Sequence, residues 1–60
     1  MMESDYRFTI THNDQSYIYL GTPSMTLDMV WAREKCWFLK GSVVTITDSV
    51  GNSKTYVKEK

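Results

Sequence analysis

Between residues 27 and 39 this chain is apolar on two sides of a helix at once, and a protein of 60 residues with room for one helix can bury only one of them. At about 100° per residue, Leu27, Val30, Trp31, Trp37 and Phe38 fall on one face. Met25, Met29, Ala32, Cys36 and Leu39 recur at i, i+4, i+7, i+11 and i+14 on the opposite face. A helix apolar all round is normally wrapped by a large protein or by lipid, and a chain this short supplies neither. The side left over is the first clue to function, because surplus apolar surface calls for a partner.

Length also sets the stability regime. Sixty residues make one domain, close to the lower limit at which a hydrophobic core holds without disulfides, metal or a second subunit. Two Trp, four Tyr and two Phe supply the apolar bulk to fold rather than remain disordered. Seven basic and seven acidic side chains cancel, so no global field draws the protein to nucleic acid or to an anionic membrane. Electrostatic recognition must therefore be local. A single cysteine closes no internal disulfide, and with one histidine it builds no tetrahedral zinc site, which points to a reducing cytoplasm. Residues 1–5 are expected to carry no leader, and the apolar run 36–39 is far too short to span a bilayer.

Alternation places strands at either end of the helix. Tyr6, Phe8 and Ile10 interleave with Arg7, Thr9 and Thr11, the period of a half-buried strand over 6–11. The polar turn His12-Asn13-Asp14-Gln15 leads into a second strand over 16–20. An odd loop would set Ile18 and Leu20 beside Phe8 and Ile10, whereas an even one would oppose them; hydrophobic matching favours the odd register. Tyr17 and Tyr19 would then join Arg7 and Thr9 on the outer face. Gly21 ends the strand, Thr22-Pro23-Ser24 supplies caps, and a helix over about 24–39 ends at Lys40 and Gly41. Residues 42–48 and 54–57 form a second hairpin about the Asp48-Ser49-Val50-Gly51 turn, closed by a glycine bulge, with Tyr56 opposite Val44 and Val57 opposite Val43. The expected fold is α+β: ββαββ, a four-stranded antiparallel sheet with one helix packed on one face, in a single domain over residues 1–60.

Candidates for chemistry are few. His12 beside Asp14 lacks a nucleophile or second base to cooperate with, and reads as a solvated turn residue. Cys36 reads as a small buried hydrophobe rather than a reactive thiol. Asp48 and Asn52 offer too few oxygens for calcium and suit a turn. No glycine-rich phosphate loop is present, so neither an enzyme nor a cofactor is expected. Tyr17, Tyr19, Arg7 and Thr9 on one outer face would make a stacking platform for single-stranded nucleic acid, although Tyr and Thr also simply favour strands. Arg33, Lys35 and Lys40 give the helix a basic side. Glu34 falls amid the aromatic face and must find a tyrosine hydroxyl or a lysine, unless the methionine face is the buried one. Bulk favours the aromatic face as core, leaving Met29 and Cys36 as an adaptable, partly exposed stripe.

The run Ala32-Arg33-Glu34-Lys35-Cys36-Trp37-Phe38, the segment Gly41-Ser42-Val43-Val44-Thr45-Ile46-Thr47-Asp48 and then Gly51-Asn52 resemble small phage and prophage proteins in which an amphipathic helix ends in an aromatic, a Gly-Ser/Thr-Val step and a hairpin. One such group is the ββαββ anti-CRISPR that blocks the type I-F surveillance complex. The resemblance covers about residues 24–57 and implies a counter-defence protein that binds the crRNA-guided complex and prevents target DNA from pairing, in the cytoplasm of the host bacterium. Arg33 matches a basic helix residue of that group, and Glu34 and Cys36 match residues found there. Asp28 and Met29 stand where the group carries a basic pair, and two extra residues precede Gly41.

Residues and resemblance together give an expected non-enzymatic binding protein whose contacts are Arg33, Lys35, Lys40, Met29, Arg7, Tyr17 and Tyr19. Its expected partner is a host protein or ribonucleoprotein, with no membrane involved. The alternatives are a small nucleic-acid-binding module and a homodimeric structural protein.

Overall fold

The computed structural model describes residues 6–59. Strands β1 (Arg7–His12) and β2 (Gln15–Leu20) form a hairpin, α1 (Leu27–Glu34) and a single turn of 3-10 helix (Lys35–Trp37) follow, and β3 (Val43–Thr47) and β4 (Ser53–Val57) form the second hairpin. The order is ββαββ. All four strands lie antiparallel in one sheet ordered β2-β1-β3-β4, and the helix packs over β3 and β4. This is the expected α+β architecture.

The second hairpin has the expected register, Val43 opposite Val57 and Val44 opposite Tyr56. Its turn is held by Asp48, whose carboxylate accepts from the Val50 and Asn52 amides at 3.0 and 2.8 Å and from the Asn52 side-chain amide at 3.2 Å. The Asp48 carbonyl accepts from the Gly51 amide at 3.3 Å, and Gly51 takes φ +99°, a left-handed conformation that favours glycine.

The first hairpin departs from the expected register. Its loop is the two residues Asn13 and Asp14, with Asn13 at φ +57°, so Phe8 faces Tyr19 and Ile10 faces Tyr17. Tyr17 and Tyr19 therefore lie on the helix-covered face with Phe8 and Ile10, while Ile18 and Leu20 share the open face with Arg7 and Thr9. Turn geometry outweighs apolar matching here. The exchange is tolerable because a tyrosine ring covers apolar neighbours while its hydroxyl finds a polar partner. Tyr19 packs against the core edge-on to Phe8 at 6.4 Å, and the Tyr17 hydroxyl donates to Glu34 Oε1 at 3.2 Å.

That hydrogen bond resolves the placement of Glu34, which reaches a tyrosine at the margin of the sheet instead of being stranded among aromatics. Phe8, Ile10, Val30, Val44 and Ile46 form the buried core, with Met25, Leu27, Trp31, Phe38 and Tyr56 packed against it. Burying Leu27, Val30, Trp31 and Phe38 agrees with the bulk argument. Trp37 does not, being 76% exposed. The chain also approaches closely at Gly21, where an added Cβ would stand 2.7 Å from the Phe8 ring.

The helix is shorter than its periodicity predicts. Thr22-Pro23-Ser24 forms a separate turn, closed by the Met25 amide on the Thr22 carbonyl at 3.1 Å. Thr26 is the true N-cap, its Oγ1 accepting from the Met29 amide at 3.2 Å. At the other end α1 tightens into the 3-10 turn and Phe38 is extended. The Lys58 ammonium accounts for part of this. It donates to the Lys35 and Phe38 carbonyls at 2.7 and 3.4 Å, in addition to the 3.1 Å bond that the Lys35 carbonyl accepts from the Phe38 amide.

Charged and phenolic groups link helix to sheet on the β4 side. Asp28 Oδ1 accepts from the Tyr56 hydroxyl at 2.7 Å and from Lys54 Nζ at 3.1 Å. These contacts, Tyr56 first, hold the Asp28 carboxyl below the usual carboxylate range. At Asp48, burial favours the protonated form, but the hydrogen bonds from Asn52, Val50 and Gly51 outweigh it and its pKa is also lowered. Burial, the hydrogen bond to Glu34 and its negative charge push Tyr17 up to about 12; burial and then Asp28 raise Tyr56 likewise.

Depressed carboxyls contribute stability above their unfolded pKa of about 3.9 and lose it as pH falls through the folded value. Raised phenols contribute below their unfolded pKa of about 10 and lose it as pH rises through the folded value. The melting temperature, followed by circular dichroism, is thus expected to be flat from about pH 5 to about pH 10 and to fall on both sides. A melting temperature that is highest at acid pH would contradict these assignments.

Candidate binding surface

Two of the most exposed large apolar side chains, Trp37 and Leu39, lie in the segment that runs from the last turn of α1 to Lys40. Phe38 is its anchor. Half-buried, Phe38 stacks on Trp31 at 6.0 Å and meets the His12 ring edge-on at 5.0 Å. Its extended backbone (φ −116°, ψ 149°) sends neighbouring side chains to the opposite side. Trp37 and Leu39 accordingly stand 76% and 83% exposed. Such exposure of two large apolar side chains around one half-buried residue follows from local geometry, not from a disordered loop.

The segment is braced on both sides. Gly41, at φ +92°, donates its amide to the Lys58 carbonyl at 2.7 Å, and the Ser42 amide donates to the Leu39 carbonyl at 3.0 Å. Lys58 in turn donates its own amide to the Ser42 carbonyl at 2.9 Å. Lys35 and Lys40 are exposed and flank the apolar pair in sequence. Trp is enriched in protein contact surfaces, and lysines suit the polar, solvent-accessible rim of one.

The sequence-derived contact residues divide among three places. Met29 and Arg33 lie on the exposed side of α1, Lys35 in the 3-10 turn and Lys40 in the connection, so these four belong to the helix and the segment that continues it. Arg7 is on the open face of the sheet. Tyr17 and Tyr19 are on the covered face, which dissolves the expected Tyr17, Tyr19, Arg7 and Thr9 platform: its aromatic and cationic members are separated by the sheet. Cys36 is exposed, as a member of the methionine stripe rather than as a small buried hydrophobe, its thiol meeting the Arg33 carbonyl at 3.6 Å. Trp37 and Leu39 were missing from the expected contacts. The signal was present, since Cys36 to Leu39 is an unbroken apolar run and one helix face cannot accept four successive residues.

A concavity of about 590 Å³ lies between Tyr6, Phe8, Met25, Leu27 and Val50, with Arg7 and Asp48 at its polar border. Asp48 is committed to its turn, as described above. His12 is engaged by the Phe38 ring. Among the described residues no group of three His, Cys, Asp or Glu is placed to hold a metal ion, and no helix is long and apolar enough to cross a membrane. Comparison with protein-family models, with curated proteins and with solved structures returns no match.

Proposed function

We propose that this chain is a non-enzymatic binding protein that docks a protein or ribonucleoprotein partner through Trp37 and Leu39, with Met29, Arg33, Lys35 and Lys40 around them. The observation that carries this reading is the exposure of Trp37 and Leu39 on either side of the anchored Phe38. Leaving two such side chains in water forgoes roughly 1.5–3 kcal/mol each, which a partner recovers on binding. The cationic surround suits a target with an acidic or phosphate-bearing surface.

The resemblance of residues 24–57 to the type I-F anti-CRISPR group gives the target class to test first, a bacterial CRISPR surveillance complex, with blockage of target DNA binding as the outcome. Purified surveillance complex immobilised and exposed to this chain tests the target directly. Saturable retention, together with loss of target DNA binding by the complex, is expected. No retention by a folded protein would remove that target, and retention that leaves DNA binding intact would remove the inhibitory role.

A further inference from the structure

The two edges of the sheet are protected very differently. Edge strand β4 carries Lys54, and Lys58 follows its last residue. Lysine on an edge strand is one device by which native sheets discourage edge pairing. The β2 edge has none. Its six residues, Gln15–Leu20, contain no charge, no proline and no glycine, and the helix lies over the far side of the sheet.

Hairpin parity shows which backbone groups this edge offers. The Gly21 amide donates to the Tyr6 carbonyl at 3.0 Å, so odd-numbered residues of β2 bond to β1. The N–H and C=O groups of Ser16, Ile18 and Leu20 therefore point away from the sheet. Side chains follow the same alternation, Ile18 and Leu20 standing 53% and 76% exposed on the open face.

The geometry points to a second copy of this chain as the occupant of that edge: two β2 strands paired antiparallel about a two-fold axis through Ile18. In this register Ile18 faces Ile18 and Ser16 faces Leu20 as hydrogen-bonded pairs, making about six new ladder bonds. Tyr17 faces Tyr19 on the helix side. Ile18 meets Ile18 at the centre of the open face, no like charges are opposed, and every outward backbone group of Ser16, Ile18 and Leu20 gains a partner. The dimer carries one continuous eight-stranded sheet whose two outer edges are both β4. A six-residue edge buries less than the roughly 1,200 Å² of a standard interface, so association belongs in the micromolar to millimolar range. The axis runs normal to the sheet and leaves both helices on one side.

Sedimentation equilibrium across that range tests the proposal. The weight-average mass is expected to rise toward twice the monomer value for the native chain and to stay at the monomer value for Ile18→Lys. A cross-link supplies the second arm. In a Cys36→Ser background, Ile18→Cys is expected to form an intermolecular disulfide under mild oxidation, since a hydrogen-bonded pair sets the two Cα atoms about 5.5 Å apart. Thr55→Cys, central on the opposite edge, is not. A monomer at millimolar concentration, a dimer that survives Ile18→Lys, or equal cross-linking through Thr55→Cys would each overturn it. Should Ile18→Lys fail to fold by circular dichroism, the two cysteine variants still decide.

Discussion

Trp31→Ala is expected to unfold most of the population at room temperature. The indole is stacked between the Tyr56 ring, at 5.2 Å and 15°, and the Phe38 ring, at 6.0 Å and 27°, and it packs on the buried core. Truncating a packed Trp or Phe costs about 3–5 kcal/mol, the transfer of its atoms plus the void left behind. A core of this size supplies about 3–5 kcal/mol in total, so one such void consumes most of it. The loss also spreads: Phe38 loses the ring it stacks on, and with it the anchor that orients Trp37 and Leu39. Urea denaturation followed by far-ultraviolet circular dichroism checks this. A loss below about 1 kcal/mol would show that the helix does not rely on this face.

Trp37→Ala is expected to do the reverse. The side chain is mostly in water, so stability should change by no more than about 0.5 kcal/mol. Capture of the partner should weaken by about thirtyfold or more, the effect of removing a central aromatic worth about 2 kcal/mol at an interface. Leu39→Ser should weaken it by less. Binding measured against immobilised partner, alongside thermal unfolding of the same samples, separates the two roles. If Trp37→Ala binds normally, the contact surface lies elsewhere on the molecule; if it unfolds, Trp37 belongs to the core.

The two tryptophans mark where the sequence was informative. Trp31 lies mid-helix, where regular periodicity holds, and the contest between its aromatic face and the methionine face is settled by bulk. Trp37 lies beyond the last regular turn. There the Lys58 ammonium draws on the Lys35 and Phe38 carbonyls, the helix tightens, and the extended backbone at Phe38 reverses the facing of its neighbours. A 3.6-residue period projected through that point inverts the answer for Trp37.

The hairpins show a similar contrast. At Asp48, a side chain able to cap its own turn and a glycine at the left-handed position specify the loop, so Val44 opposite Tyr56 was legible from residue types alone. At Asn13 and Asp14 two cues disagreed. Apolar matching asked for Ile18 inside, while the short polar turn asked for a two-residue loop, and the turn prevailed. What made that affordable was a long-range contact, the Tyr17 hydroxyl on Glu34, seventeen residues apart and absent from any local pattern. The same contact answers the objection that Glu34 raised against burying the aromatic face. Exposure of Ile18 and Leu20, the basis of the edge-pairing proposal, follows from the same choice of register.

Solvent access of each tryptophan is the most direct test of the division between a buried and an offered side of the helix. Acrylamide quenching of Trp31→Phe, which leaves Trp37 as the sole indole, is expected to approach that of free tryptophan, with red-shifted emission. Quenching of Trp37→Phe, which reports on Trp31, should be several-fold weaker. The opposite order, or equal quenching of both, would contradict the account.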